Sequence, residues 1–397
     1  MRILVATHNY PRFAGDRAGA FVARLAAAAA GAGHVVRVVA PHAPGAPERE
    51  RMDGVDVVRF RYAPERWERV GYRGDLHRQR ATTLLGALGV PAFLLGFRRT
   101  LRRELRNFSP DVVHAHWWFP AGWLATSLAT VPVVVTIHGS DARLIDRGGA
   151  MRRLAGRVLG RAAAVTTVSK FLADDVLGQL PDLATPVLVA PMAVDVDHFA
   201  TGRGVPKAVP PRVLYAGNLV PSKGVDVLLR AIAGLREAGV ACRLKVLGEG
   251  PLMAELRTLA ATLGIADSVD WAPFVQQDAM PAEYGASTVT VLPSRGRAEG
   301  LGLTLVEALL AGSAVVGTPA GGIPEVVRPS ETGLLASDGD AGDLAAQIRT
   351  LLEDEALRER LTAAGDAMAR STFAPRAAAQ RFLDLYTSVA TSRPPRR

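Results

Sequence analysis

Residues 293–325 read PSRGRAEGLGLTLVEALLAGSAVVGTPAGGIPE, and two carboxylates within them, Glu299 and Glu307, stand eight residues apart. Leu305, Val306, Ala308, Leu309 and Leu310 recur at helical spacing and Gly312 supplies a stop, so a helix is expected to begin near Leu303. Glu299 then falls in the loop facing the helix start, and Glu307 lies one turn inside. The first amides of a helix have no partner within it, and Gly300 and Gly302 let a ligand come close to the backbone. Such a start accepts phosphate or sugar oxygens, and a carboxylate at either end accepts from hydroxyls. The combination suits a polyhydroxylated, phosphorylated ligand. A capped helix with a solvated Glu at each end would explain the carboxylates alone, so the flanking sequence has to decide.

A short apolar strand, Thr288 to Pro293, leads into the stretch, and a second, Ala314 to Thr318, leads out into the turn Ala320-Gly321-Gly322-Ile323-Pro324-Glu325. This ordered series of strand, glycine loop, helix, strand and glycine turn resembles the donor site of the retaining GT-B glycosyltransferases of family 4. The resemblance implies an α/β fold of two Rossmann-like domains facing across a cleft, with a C-terminal helix crossing back to the N-terminal domain. It implies transfer of a hexose from a UDP- or GDP-linked sugar to an acceptor hydroxyl, with the nucleotide sugar as co-substrate and no cofactor or metal. It also implies that Glu307 binds the ribose hydroxyls and Glu299 the sugar ring. Gly300, Leu301, Gly302, Leu303 and Thr304 become donor contacts on the same ground.

Length and composition are compatible with that expectation. The chain has 397 residues with 49% hydrophobic content, enough for two cores. One cysteine, Cys242, forms no internal disulfide, and the apolar part of the first strand is too short for a signal-peptide core, so a cytoplasmic location is expected. The net charge of +9 is uneven: 26 Lys/Arg stand against 17 Asp/Glu through residue 200, and 21 against 21 after it. A basic first half suits anionic lipid or a phosphorylated substrate; with 6% aromatics and no nucleic-acid motif, nucleic acid is not an expected partner.

In the first half, Ile3 to Thr7, Ala20 to Ala30 and Val35 to Ala40 read as strand, helix and strand. The family resemblance brings the loop after the first strand toward the donor diphosphate, which makes Gly15 and Gly19 candidates; a flexible turn and a helix start would explain both equally. From Ala81 to Phe97 the chain is nearly all apolar, with Pro91 inside it, and Arg98, Arg99, Arg102, Arg103 and Arg106 follow. The segment is shorter than a bilayer span and reads as a helix pair packed on the sheet. The alternative is an interfacial surface meeting anionic lipid or a lipid-linked phosphate acceptor, peripheral to the inner face of a membrane. Asp111 to His116 and Thr130 to Ile137 read as strands ending in His116 and His138. Polar residues at the carboxyl ends of parallel strands face the ligand crevice of an open sheet, so His138 is a catalytic candidate from topology. His138-Gly-Ser-Asp141 also looks like the family's histidine motif, whose histidine contacts the donor sugar. The pair His114 and His116 has no third metal ligand at a characteristic spacing.

The expected domains are 1–192 with a returning helix 375–390, then 193–374, and a basic tail 391–397. The second opens on the strand Arg212 to Ala216 and the loop Gly217-Asn218-Leu-Val-Pro-Ser-Lys223-Gly224. Lys223 just before a helix start suits a diphosphate. Family members commonly carry Arg where this chain has Asn218, so Arg295 or Arg297 is a candidate replacement charge. Gly248 follows the next strand, and Phe274 and Val275 resemble the family's base-binding wall. Asp195-Val-Asp197 and Asp338-Gly-Asp340 match the D-x-D of metal-dependent transferases but lie outside its expected context. Acceptors compatible with this reading are glycans, glycolipids or small molecules. A GT-B-fold nucleotide-sugar epimerase and a non-catalytic nucleotide-sugar binder remain rivals.

Overall fold

The computed structural model describes residues 1–13, 15–16, 18–68, 84–273 and 275–391. It divides into two compact units, Met1–Ala193 with Pro375–Arg397, and Val194–Ala374. The first unit is built on β1 (Arg2–Ala6), β2 (Val35–Pro41), β3 (Arg49–Met52), β4 (Val55–Phe60), β5 (Val112–His116), β6 (Val133–Ile137), β7 (Ala164–Thr167) and β8 (Val187–Val189). They form one sheet in the order β3-β4-β2-β1-β5-β6-β7-β8, parallel except for the β3–β4 hairpin. The order reverses between β1 and β5, which opens a crevice at the carboxyl ends of those strands. Ile3, Leu4, Val112, Val113, Val134 and Val135 are buried. Helices on both faces explain why these strands read as unbroken apolar runs rather than alternating ones.

Two features of this unit differ from the sequence reading. The hairpin β3–β4 turns on Asp53 and Gly54, both at positive φ (47° and 80°), the backbone that a two-residue hairpin turn of the favoured hand requires. Residues 84–108 form one helix, Leu84–Phe108, and not a helix pair. Pro91 is exposed, whereas Phe93, Phe97, Leu101 and Phe108, at intervals of four, four and seven residues, fall on one face and are buried. Phe97 stacks on Phe60 of β4 with centroids 4.6 Å apart, and Phe93 meets Phe60 edge-on at 5.0 Å. This packing anchors the part of the helix that follows the proline.

The last helix, Pro375–Thr391, lies against the helix Ala20–Gly31 and buries Ala378, Phe382 and Tyr386. Tyr386 Oη is 2.6 Å from His114 Nδ1; His114 Nε2 is 2.6 Å from Thr136 Oγ1, which is 2.6 Å from Thr166 Oγ1. A fully buried polar chain thus runs from the final helix through β5, β6 and β7.

The second unit carries β9 (Arg212–Ala216), β10 (Arg243–Leu247), β11 (Val269–Ala272), β12 (Val289–Leu292), β13 (Ala314–Gly317) and β14 (Leu334–Leu335). All are parallel, in the order β11-β10-β9-β12-β13-β14, and the order reverses between β9 and β12. The helix Leu303–Leu310 connects β12 to β13 and buries Leu305, Val306, Ala308, Leu309 and Leu310.

Tyr386→Phe keeps the ring and removes the hydroxyl, leaving a ring nitrogen of His114 unpaired in the core. Stability should fall by about 1–3 kcal/mol, the desolvation penalty of a buried polar group left without a partner. Denaturant unfolding of the two proteins measures it, and coincident curves would show that the contact contributes nothing.

Candidate active site

At the carboxyl edge of the second sheet, the loops after β9, β12 and β13 touch backbone to backbone. Gly224 (φ 66°) starts the helix Val225–Glu237, and a Cβ there would lie 2.0 Å from the carbonyl oxygen of Pro293. Gly321 (φ 57°) presses on the loop after β12 in the same way, where a Cβ would lie 1.9 Å from the carbonyl oxygen of Glu299. Hydrogen bonds complete the seam. Arg295 N donates to Ser222 O (2.9 Å), Gly321 N to Gly296 O (2.9 Å), and Gly322 N to Glu299 O (3.2 Å). Gly248, after β10, donates to Ala272 O at 3.1 Å and closes on the backbone of Gly217.

These loops bring Lys223 and Glu299 together. The Lys223 ammonium pairs with Glu299 Oε1, which also accepts from Ser294 Oγ at 2.7 Å. Two residues separated by 76 positions therefore share one partly buried ion pair beside the start of Leu303–Leu310. Gly302 opens that helix with φ 86° and no side chain caps it, so the first amides, at Leu303 and Thr304, head the helix without a partner from it. Leu301 and Gly302 are buried beneath; Gly300, Leu303 and Thr304 are half-buried. At the same time Tyr284 Oη donates to Glu307 Oε2 at 2.9 Å and fixes that carboxylate one turn into the helix.

The far end of the helix is occupied by cations. Arg203 donates to Leu310 O (3.0 Å) and Leu309 O (3.3 Å), and Lys207 Nζ to Gly312 O (2.6 Å) and Ser287 O (2.9 Å). Burial and the neighbouring Arg358, Arg203 and Arg212 bring the Lys207 pKa down to about 8. Positive charge on the carbonyl end is the favourable polarity for a helix dipole, and it leaves the amide end as the attractive side for an anion.

The first unit gathers histidines at its own carboxyl edge. His116 Nδ1, at the end of β5, is 3.1 Å from His138 Nε2, just past β6. The His138 ring lies 4.5 Å from that of Trp117 and 5.0 Å from Phe21, and His8 lies 4.4 Å from Trp117. Asp141 holds the turn: Oδ1 accepts from the amides of His138 (2.9 Å) and Gly139 (3.1 Å), and Oδ2 from that of Trp118 (3.0 Å). One carboxylate thereby ties the loop after β5 to the loop after β6. Burial raises the Asp141 pKa to about 6 against the pull of those amides. Burial lowers His114 to about 3, and burial with the charge of neighbouring rings takes His116 and His138 well below the ordinary value.

Two family descriptions match the chain, Glycosyltransferase Family 4 over residues 18–198 and Glycosyl transferases group 1 over residues 204–368. The D-inositol 3-phosphate glycosyltransferase of Geodermatophilus obscurus is 32% identical over 338 residues, covering 77% of this chain and 73% of that one. The chain belongs to glycosyltransferase family 4. A 2-deoxystreptamine glucosyltransferase of Streptomyces kanamyceticus is 28% identical over 359 residues, with 84% and 89% of the two chains covered. The solved structure of Anabaena Alr3699/HepE in complex with UDP-glucose superimposes with a TM-score of 0.71 at 18% identity, over 98% of this chain and 100% of that one. Two Rossmann-like α/β units with this likeness constitute the GT-B fold.

The remaining candidates of this glycosyltransferase fall as follows. Gly19 (φ 64°) starts the helix Ala20–Gly31 and packs on the carbonyl of Asn9, whereas Gly15 is exposed. Asn218 is exposed, and its carbonyl accepts from Tyr215 Oη at 2.8 Å. Arg295 is not an uncommitted replacement charge: it pairs with Asp226 at 2.7 Å, in the first turn of the helix after Gly224. Val275 is half-buried beyond β11; Phe274 and the tail 392–397 lie outside the described residues. Of the D-x-D carboxylates, Asp197 is exposed and lies 3.7 Å from Arg370, and the other three serve the backbone. Asp195 and Asp340 cap helices through the amides of His198 and Asp343, and Asp338 accepts from Gly296 N at 2.8 Å. Sequence reasoning missed Tyr284, whose place beside Glu307 no local pattern announces, and the holding role of Asp141, although Asp141 stood in the quoted histidine motif.

Two buried rings, His114 and His116, and the half-buried ring of His138 make a proton-binding prediction. Their folded pKa values lie below the unfolded value near 6.5, so the unfolded chain binds more protons and stability falls as pH drops below it. Asp141 acts oppositely between its ordinary value of 3.8 and about 6, where the folded chain holds the extra proton. Ring NMR signals of His114, His116 and His138 should therefore remain those of neutral imidazole from pH about 7 to about 5.5, where an ordinary histidine titrates. A His138 signal that moves through that range would mean that the half-buried ring takes up a proton in the folded chain.

Proposed function

We propose that this glycosyltransferase moves a hexose from a UDP- or GDP-linked donor to an acceptor hydroxyl with retention at the anomeric carbon, and that the second unit holds the donor. The observation that carries this reading is the conjunction at one helix start: open amides, Lys223 paired with Glu299, and Glu307 fixed by Tyr284. The UDP-glucose of the HepE complex supports a nucleotide-sugar donor. Cyclitols in the names of the relatives, D-inositol 3-phosphate and 2-deoxystreptamine, support a small polyhydroxylated acceptor.

The step to be helped is departure of a diphosphate while positive charge grows on the sugar ring. A preorganised cation and backbone amides stabilise the leaving group, and a donor diphosphate would compete with Glu299 for Lys223. Glu299, released from part of that pair, would then accept from sugar hydroxyls, and Glu307 from the ribose. With retention, the C1–O bond to phosphate breaks, the C1–O bond to the acceptor forms on the same face, and the acceptor proton passes to the departing phosphate oxygen. The first unit's proposed contribution is His138, half-buried with its pKa held below the ordinary value, and able to hydrogen-bond to a sugar hydroxyl without adding charge.

Glu307→Ala should weaken binding of the bare nucleoside diphosphate measured by calorimetry, whereas Glu299→Ala should spare it and slow transfer. Equal nucleotide affinity in wild type and Glu307→Ala would sink the assignment of the ribose site. Lys223→Ala should lower turnover at saturating donor on the order of 10²-fold or more, the scale for loss of one preorganised electrostatic contact. Unchanged turnover would move the charge to another group. Incubation with radiolabelled UDP- and GDP-sugars tests the reaction itself, since a transferase leaves labelled acceptor product or slowly hydrolysed donor.

A further inference from the structure

We propose that the outward side of the helix Leu84–Phe108, with the groove beside its carboxyl half, is a docking surface for an anionic lipid bilayer. Leu95, Arg98, Arg102 and Arg106 follow one another at three- or four-residue intervals, which puts them on one line along the helix. The three arginines are exposed and Leu95 is 44% exposed, while Phe93, Phe97, Leu101 and Phe108 are buried on the opposite side. Arg98, Arg102 and Arg106 line a groove of about 1220 Å³ whose apolar lining includes Leu105, Leu128, Val131 and Ala390.

Their neighbours show that this charge is not internally spent. Arg37, Arg49 and Arg103 converge on the buried carboxylate of Glu104, at 3.1, 2.7 and 3.0 Å. Arg98, Arg102 and Arg106 have no ion pair among the described residues, and Asp111, the one carboxylate lining the groove, accepts from the amide of Arg2 at 2.7 Å. Thr391, the last residue of the final helix, lines the same groove, and the sequence continues from it with Arg393, Arg396 and Arg397.

The spacing selects the partner. Eight residues of helix separate Arg98 from Arg106 by ~12 Å, so the row does not converge on a single phosphate and fits a surface that repeats anionic groups. Exposed Leu95 and the apolar lining add contacts that a lipid interface satisfies and a nucleic-acid backbone does not. Among the described residues no helix is long and apolar enough to cross a membrane, so the attachment would be lateral and reversible. Met1, Asp111 and Pro132 in the groove precede β1, β5 and β6, whereas His116 and His138 follow β5 and β6. Docking therefore uses the amino edge of the sheet, opposite the histidine group. The surface is an attachment and not an acceptor site.

Co-sedimentation of the full chain with vesicles of phosphatidylcholine alone, or mixed with phosphatidylglycerol, tests this. Binding should require the anionic lipid, weaken as salt shortens the screening length, and fall on the order of 10²-fold in Arg98→Gln/Arg102→Gln/Arg106→Gln, roughly fivefold per charge. The corresponding triple Lys variant should keep most of the binding, and all variants should melt like wild type, since the side chains are exposed. Equal binding to both vesicles, no binding to either, undiminished binding of the triple Gln variant, or capture by duplex DNA with no capture by vesicles would each overturn the proposal.

Discussion

Backbone lying directly on backbone is the constraint on which the second unit turns. Three loops from the carboxyl ends of different strands meet at Gly224 and Gly321, where any side chain would occupy the space of a carbonyl oxygen. Because the loops are in contact, Lys223 on one and Glu299 on another reach each other with little chain left to move. Preorganisation of this kind is what makes a charged group effective at a reacting centre, since its orientation is fixed before any ligand arrives. The helix Leu303–Leu310 inherits the same rigidity: its amide end faces the seam, and its carbonyl end is held by Arg203 and Lys207.

The two sheets place different electrostatics at equivalent edges. In the second unit charge is present and balanced, a cation against a carboxylate beside open amides. In the first unit the pKa values of His114, His116 and His138 are held below the ordinary value, and the Asp141 carboxylate beside them is occupied by three backbone amides. A neutral hydrogen-bonding surface can hold hydroxyls without attracting a phosphate, whereas a cation beside open amides attracts one.

Much of this was legible in the sequence because the determining signals were local. The start of the helix at Leu303, the strand Arg212–Ala216 and the helix after Gly224 follow from apolar period and glycine placement within a few residues. The hairpin at Asp53-Gly54 carries the usual dipeptide signal of a tight turn, which the strand-helix-strand reading of residues 3–40 does not reach. At Pro91 a break is expected on local grounds, yet Leu84–Phe108 is one helix, and what the fold adds is the packing of Phe93 and Phe97 on Phe60 beyond the proline. Tyr284 beside Glu307 and Asp226 beside Arg295 are separated from their partners by 23 and 69 residues, and nothing short of the fold brings them together.

The hydrogen bond from Tyr386 to His114 joins residues 272 positions apart. On a ribosome, the strands and histidines of the first unit emerge early, but the helix that covers them is made only after the whole second unit has been synthesised. Until then the helix Ala20–Gly31 lacks its neighbour and His114 lacks its phenol, so the first unit waits, incomplete and partly uncovered, while the second can fold from a continuous stretch of chain. Loop closure over such a distance costs entropy that only the finished core returns, so the first unit's core is complete only when this seventeen-residue helix docks.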